Sequence, residues 1–320
     1  MHCLPLPTPF PVGPINTYLL EGDPLTLVDC GPSSADALVE LERALGERGH
    51  AIEDLELVFI THQHLDHAGL APIVARRSGA PVACLDRLAG YLEDFPTEAA
   101  RDDEHARLLM IRHGLEEHVA TAIGWANSLI RGWGAAVAVD RPIADGGEVV
   151  AGDHALRVLH RPGHSPSDTV LYDADRRLLL AGDHLLERIS SNAVLSRPLG
   201  APADGARRRP LVEYRDSLRA TAELDVDLVL TGHGAPVHDH RALIEHRLAE
   251  QDDRAARLLD RLVAGGPATA YELANAIWGD AAITQALMTI SEVVGHLDLL
   301  IDAGTVAEDG TGAVVRFHAA

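Results

Sequence analysis

The chain has 320 residues, 47% of them apolar, and a formal net charge of −21. That length calls for one large domain, or one with a smaller companion, and the acidic balance opposes non-specific binding to nucleic acid or anionic lipid, whose phosphates it repels. No run approaches the roughly 18 to 20 apolar residues that span a bilayer, and MHCLPLPTPFPVGPIN lacks the basic-then-apolar order of a secretory signal, so the expected location is cytoplasmic.

The first part reads as short strands, NTYLLEG and LTLVDCG, separated by a Gly-Asp-Pro turn signal. SSADALVELERALGERG opens on a cap-like serine and carries apolar residues at helical spacing, which predicts a helix. A buried strand, LELVFITH, a helix, GLAPIVARRSG, and a strand, APVACL, follow; this β-α-β-α-β order argues for an α/β layered fold. Residues 87 to about 135 instead show leucines, histidines and acids at helical spacing, with Trp125 and Trp133 near the end, and predict a helical insertion. Strands resume in ALRVLHRPGH, in TVLYDADRRLLLAGDH with a turn at Asp173 to Arg176, and in VDLVLTGHG, with a helix at PLVEYRDSLRATAEL.

From about residue 250 the pattern changes to three helices, DDRAARLLDRLVAGG, AYELANAIWG and TQALMTISEVVGHLDLLIDAG, and a hairpin turning at Asp309-Gly310. That order predicts a winged-helix-like domain over 250–320 behind a catalytic domain over 1–249. The C-terminal segment holds four arginines against eleven acidic residues. A DNA-reading winged helix needs a basic face, so the expected role is structural or dimer-forming. Cys3, Cys30 and Cys84 are odd in number and scattered, unlike a disulfide framework; Cys30 and Cys84 read as core. There is no lysine, which with the high alanine content reflects genome composition. Arg207-Arg208-Arg209 reads as a solvated loop ahead of a contact for a substrate anion.

The chemistry concentrates in FITHQHLDHAG. His62 and His64 stand two apart just past a strand, where alternate side chains point the same way. Asp66 and His67 are adjacent and point in different directions, so one tetrahedral ion cannot readily use all four; the spacing suggests two ions. Three further polar residues end buried strands beside glycine: His164 in RPGHSPSDT, Asp183 in LLLAGDHLL and His233 in LVLTGHGAP. Such positions converge at one edge of a layered sheet, where α/β proteins place their sites.

The ordered set His62, His64, Asp66, His67, His164, Asp183 and His233, with the LVDCG strand-turn at Asp29, resembles the metallo-β-lactamase superfamily over about residues 12 to 245. The C-terminal part is similar to the winged-helix appendage of a subgroup of that superfamily. The resemblance implies a four-layer αββα fold and a zinc pair. One ion would sit on His62, His64 and His164, the other on Asp66, His67 and His233, with Asp183 bridging. Imidazole and carboxylate ligands suit zinc and also accept iron or manganese. Asp29 either orients a ligand histidine or caps its turn.

Two zincs roughly 3.5 to 4 Å apart can share a water and lower its pKa from ~15.7 toward ~7, so no serine or cysteine nucleophile is required. Asp66 and Asp183 are the candidate catalytic residues, Asp66 with a secondary part in moving a proton. The expected reaction is cleavage of a carboxylic thioester or ester, lactones included, in a small acyl substrate by a metal-bridging hydroxide. A phosphodiesterase or endoribonuclease of the same fold is the alternative, disfavoured by the acidity and the absence of a basic groove. The superfamily's antibiotic-hydrolysing members usually carry a cysteine ligand near the place of Asp183. Ser190, Ser191 and Asn192 either contact substrate or make local backbone bonds; Trp125 and Trp133 either cover an acyl chain or pack between helices.

Overall fold

The computed structural model describes all 320 residues. Strands β1 (His2–Leu6), β2 (Ile15–Leu20), β3 (Thr26–Val28), β4 (Leu57–Ile60), β5 (Val82–Leu85) and β6 (Arg141–Ile143) form one sheet in that order. The first two pairings are antiparallel and the last three parallel. A second sheet orders β7 (Glu148–Ala151), β8 (His154–His160), β9 (Thr169–Asp173), β10 (Leu178–Gly182) and β11 (Leu228–Thr231) as β11-β10-β9-β8-β7, with only β10 and β11 parallel.

The two sheets lie face to face between helices, and the alternation of side chains along a strand explains why. In β4, Leu57 and Phe59 join a core shared with Leu156, Val158, Leu171 and Leu180 of the second sheet. Val58 and Ile60 point the other way, into a core with Leu41 and Leu45 of α1 (Ala35–Gly46) and Val74 of α3 (Ala71–Ser78), which follows the short α2 (Leu65–Ala68). A strand buried on both faces needs a continuous apolar run, and LVFI supplies one. Burying each such side chain contributes about 1.5 to 3 kcal/mol. On the far side, Leu159, Val170, Tyr172 and Leu179 pack under residues Leu211 to Ile244, closing the fourth layer. The expected αββα arrangement is therefore present. β1 was not legible in the sequence because Pro5 interrupts it; an edge position tolerates that missing donor. The serine at the start of α1 caps it as expected, Ser34 Oγ accepting from Ala37 N at 3.1 Å.

The 87–135 segment forms α4 (Asp86–Glu93), α5 (Phe95–Arg112) and α6 (Glu117–Ile130), closed by a 3₁₀ turn at Arg131–Trp133. After α7 (Pro210–Ala222), the C-terminal segment forms α8 (His240–Gly265), α9 (Ala270–Trp278), α10 (Ala281–Thr284), α11 (Ala286–Asp302) and a hairpin of β12 (Val306–Asp309) and β13 (Arg316–Ala319). Helix α8 runs unbroken through residue 250, where the composition changes. Leu109, Met110 and Ala120 of the insertion share one core with Leu258, Leu273, Ile290, Leu297 and Phe317 of the C-terminal segment. Backbone bonds from Val315 N to Arg112 O (2.8 Å) and Tyr271 N to His113 O (3.1 Å) join the same two segments. No helix is long and apolar enough to cross a membrane.

Arg207 to Arg209 form neither a free solvated loop nor a substrate contact. Arg207 holds the buried Asp298 of α11 through two bonds of 2.6 and 2.7 Å, Arg209 reaches Asp302 at 2.7 Å, and Arg208 pairs with Glu213. The charges tie the loop before α7 to α11, a use that depends on a partner some 90 positions away.

Candidate metal centre

All seven residues expected to hold metal come together at one edge of the facing sheets. His62 and His64 follow the C-terminal end of β4, with Asp66 and His67 in the one-turn helix α2 behind them. Asp183 follows β10, whose register against β11 shifts between Leu180 and Gly182, and His233 lies just past β11. A bulge at this point re-aims the strand end. His164 comes from the loop between β8 and β9. That loop is held by Asp168, which accepts from Ser165 N at 2.8 Å and from Ser165 Oγ at 2.6 Å.

Three groups of side chains each converge their ligating atoms to within 4.8 Å: His62, His64 and His164; His62, His67 and Asp183; and Asp66, His67 and His233. The first and third groups are the two sets expected for separate ions. Asp183 stands between them, with Oδ2 3.6 Å from both His164 Nε2 and His233 Nε2 and Oδ1 3.3 Å from His67 Nε2. His233 Nε2 also lies 3.3 Å from Asp66 Oδ2.

The donor set fits a cation on two grounds. His67 Nε2, His233 Nε2 and Asp183 Oδ1 are buried with no hydrogen-bond partner, a costly condition in a folded interior. His64 Nδ1 lies 3.1 Å from His62 Nε2 and 2.9 Å from His164 Nε2. Three imidazole nitrogens meeting at one point cannot all be satisfied by protons shared among neutral rings; a shared cation satisfies all three.

Outer partners fix which nitrogen faces the centre. His67 Nδ1 donates to Asp29 Oδ2 at 2.7 Å, His233 Nδ1 to Pro14 O at 2.8 Å, and His164 Nδ1 to Asn192 O at 3.2 Å; His62 Nδ1 lies 3.0 Å from Thr61 Oγ1. In each the Nε2 lone pair is left for the centre. Asp29 therefore orients a histidine, and it also holds the turn, accepting from Thr61 N at 2.9 Å. Its backbone takes the left-handed φ of 59° to do so. Sequence reading named Asp29 but not Thr61 or the carbonyls of Pro14 and Asn192, which carry no side-chain signature.

Burial drives the His62 imidazole well below its usual range and takes His64, beside His164, down to about 3, so both favour the neutral, ligating form. Burial acts the same way on His67 and His233, but there Asp183, Asp29 and Asp66 outweigh it and raise both. The same carboxylate pull favours a metal cation. Burial would raise Asp183, yet His67, His164 and His233 hold it well below the ordinary carboxylate range.

Gly232 shows how closely the parts approach. A Cβ there would lie 2.2 Å from Asp183 Oδ1 and 2.9 Å from His67 Cε1. Only glycine lets the strand pass beneath both ligands. His64 and His164 are the partly exposed members, so the centre opens to solvent on their side. Ser191 and Asn192 contribute backbone support: the Ser191 hydroxyl donates to the Asp183 carbonyl, and Asn192 O accepts from His164. Trp133 packs edge-on to Phe10 with ring centres 5.5 Å apart, and its carbonyl abuts Gly69 just after α2. Trp125 is 74% exposed and packs between no helices. Cys30 and Cys84 are fully buried, as expected of core residues.

Residues 10–233 match the family model described as the metallo-beta-lactamase superfamily. The chain belongs to that superfamily and is a metallo-hydrolase. It is 31% identical to the probable metallo-hydrolase YqjP of Bacillus subtilis (strain 168), across 98% of this chain and 95% of that one. It superposes on the crystal structure of the metallo-beta-lactamase family protein TTHA1429 from Thermus thermophilus with a TM-score of 0.82 and 29% identity, covering 100% and 98% of the two chains. Both likenesses continue beyond residue 233 through the C-terminal helices. A shorter likeness, 31% over 40% of each chain, is to the acyl-coenzyme A thioesterase MBLAC2 of Bos taurus.

Proposed function

We propose that the protein hydrolyses a carboxylic thioester or ester, lactones included, in a small acyl substrate, with two zinc ions held as the two side-chain sets suggest. The carrying observation is the position of Asp183 between them, within 3.6 Å of His164 on one side and His233 on the other. His62, His64 and His164 would hold one ion, Asp66, His67 and His233 the second, and Asp183 both. When bound, such a pair supplies a water of lowered pKa and an electrophile for the substrate carbonyl oxygen.

The chain's own residues do the rest. Asp29, Pro14 O and Asn192 O hold three imidazoles in the ligating tautomer. Asp66, whose Oδ2 lies 3.3 Å from His233 Nε2, would serve first as a ligand and secondarily in moving a proton as the leaving group departs. The partly exposed His64 and His164 mark the side from which substrate enters. The acyl reading draws support from the thioesterase named among the partial relatives and from the net charge of −21, which opposes a polyanionic RNA.

Purified zinc-loaded protein should turn over members of a panel of acyl thioesters, esters and lactones, followed by thiol release or acid production. Efficient cleavage of structured RNA with no turnover across that panel would overturn the proposal.

A further inference from the structure

Beside the metal centre, α8, the end of α9 and the first half of α11 enclose a cavity of about 970 Å³ together with residues 188–192. Its lining carries five arginines against three carboxylates, Glu250, Asp260 and Glu292. In a chain of net charge −21 this is a local reversal of sign. Four of the arginines fall at 247, 254, 257 and 261, spacings that set them along one face of α8. Arg247 is paired with Glu250 at 2.9 Å and Arg254 with Glu292 at 2.6 Å. Arg257 and Arg261 are exposed and make no ion pair within the molecule. Across from them the apolar rings and chains of Trp278, Ile277 and Met288 remain 38 to 44% exposed.

Unpaired guanidinium groups bind phosphate oxygens with directional bonds, and an indole offers a face on which a planar base stacks. The volume lies at the upper end of small-molecule sites, roughly 300 to 1,000 Å³. The wall nearest the metal centre is the loop that supports it: Ser191 bonds the Asp183 carbonyl and Asn192 accepts from His164. A ligand seated here lies one loop away from the reacting end of the substrate.

We propose that this cavity docks the nucleoside-phosphate handle of a thioester substrate, of the kind coenzyme A carries, with phosphates on Arg257 and Arg261 and the base on Trp278. This rests on the thioester reading given above and adds the part of the substrate that is not cleaved. The C-terminal segment then acts in substrate recognition, which its acidic overall charge hides.

Calorimetry with adenosine 3′,5′-bisphosphate, a probe that contains no thioester, tests the site directly. The wild-type protein binds it, and Arg257→Glu/Arg261→Glu weakens binding by at least about ten-fold. The same double variant raises KM for acetyl-coenzyme A about ten-fold relative to that for an uncharged acetyl thioester. Both side chains are exposed, so an unchanged melting temperature is expected; Trp278→Ala is the second variant and weakens the nucleotide without reversing charge. Equal binding to wild type and both variants, or no binding at roughly millimolar probe and low salt, overturns the assignment. So does tighter retention of single-stranded RNA than of the nucleotide. Nucleotide binding without turnover of any thioester, ester or lactone removes the reaction proposed above and leaves the cavity; turnover of uncharged thioesters without nucleotide binding does the reverse.

Discussion

The metal centre and the core shared by α5, α6 and the C-terminal helices are built on opposite principles. The centre draws seven polar side chains from three strand ends, one helical turn and the β8–β9 loop, and its parts are not interchangeable, because each donor atom must point at a common place. The shared core draws its apolar residues, Leu195 apart, from two segments of chain more than a hundred positions apart and asks of them only volume and shape. The first is written in residue types, the second in periodicity. Substitutions should therefore split cleanly into those that remove chemistry from a folded protein and those that unfold it.

Asp183→Ala provides the largest expected effect. It removes the one carboxylate that faces both side-chain sets, and kcat/KM should fall by about 1000-fold, or about 4 kcal/mol. Metal analysis should show less than the full complement at an unchanged circular dichroism spectrum. An unchanged rate would return the site to a structural role.

Phe317→Ala tests the other region. Phe317 is fully buried, stacks on His113 with ring centres 6.0 Å apart and closes the shared core. Its truncation should cost about 3 to 5 kcal/mol, read as a lower denaturation midpoint, while the folded fraction keeps its metal. Loss of metal without loss of stability would contradict the separation of the two regions.

Gly232→Ala sharpens the comparison, since it places a hydrophobic methyl into the centre. The methyl would lie 2.2 Å from Asp183 Oδ1, so the ligands must shift, and activity should fall by about 100-fold, in the range seen when the support of a metal ligand is disturbed. A methyl tolerated with full activity would mean that the strand moves freely beneath Asp183.

A fourth test concerns acid. Burial, with the Arg207 and Arg112 guanidinium groups nearby, pushes His113 down to about 3 from 6.5. Below pH 6.5 the unfolded chain takes up a proton that the folded chain refuses, so this group's share of stability is complete above that pH and declines toward pH 3. The slope is about 1.4 kcal/mol per pH unit. His113→Phe should flatten the dependence of folding free energy on pH between 6.5 and 3 by about that amount; an equally steep profile would show that the proton goes elsewhere.

What could be read in advance divides along the same line. The four residues packed into THQHLDHAG, and the glycine-flanked polar residues at the ends of apolar runs, announce their chemistry because apolar strands have no other reason to end on histidine or aspartate. Element type was legible wherever periodicity was strong, as in α1 and β4. The helices and the hairpin after residue 250 were legible too, and α8, α9, α11 and the β12–β13 pair answer them, with the short α10 added. Near residue 250 the composition changes inside the single helix α8, whose Ile244 packs with the second sheet and whose Leu258 packs in the C-terminal core.

The sequence by itself determined the α/β layering, the seven converging residues and the helical nature of the insertion, since each follows from local periodicity or from residue type at a strand end. Only the tertiary structure decided that Thr61 and the carbonyls of Pro14 and Asn192 hold imidazoles, that Asp29 both orients His67 and holds its turn, and that Arg207 grips Asp298. It also decided that arginines on α8 face an open cavity beside the centre. These are relations between positions distant in the chain, and distance through space is fixed by packing, which no local pattern records.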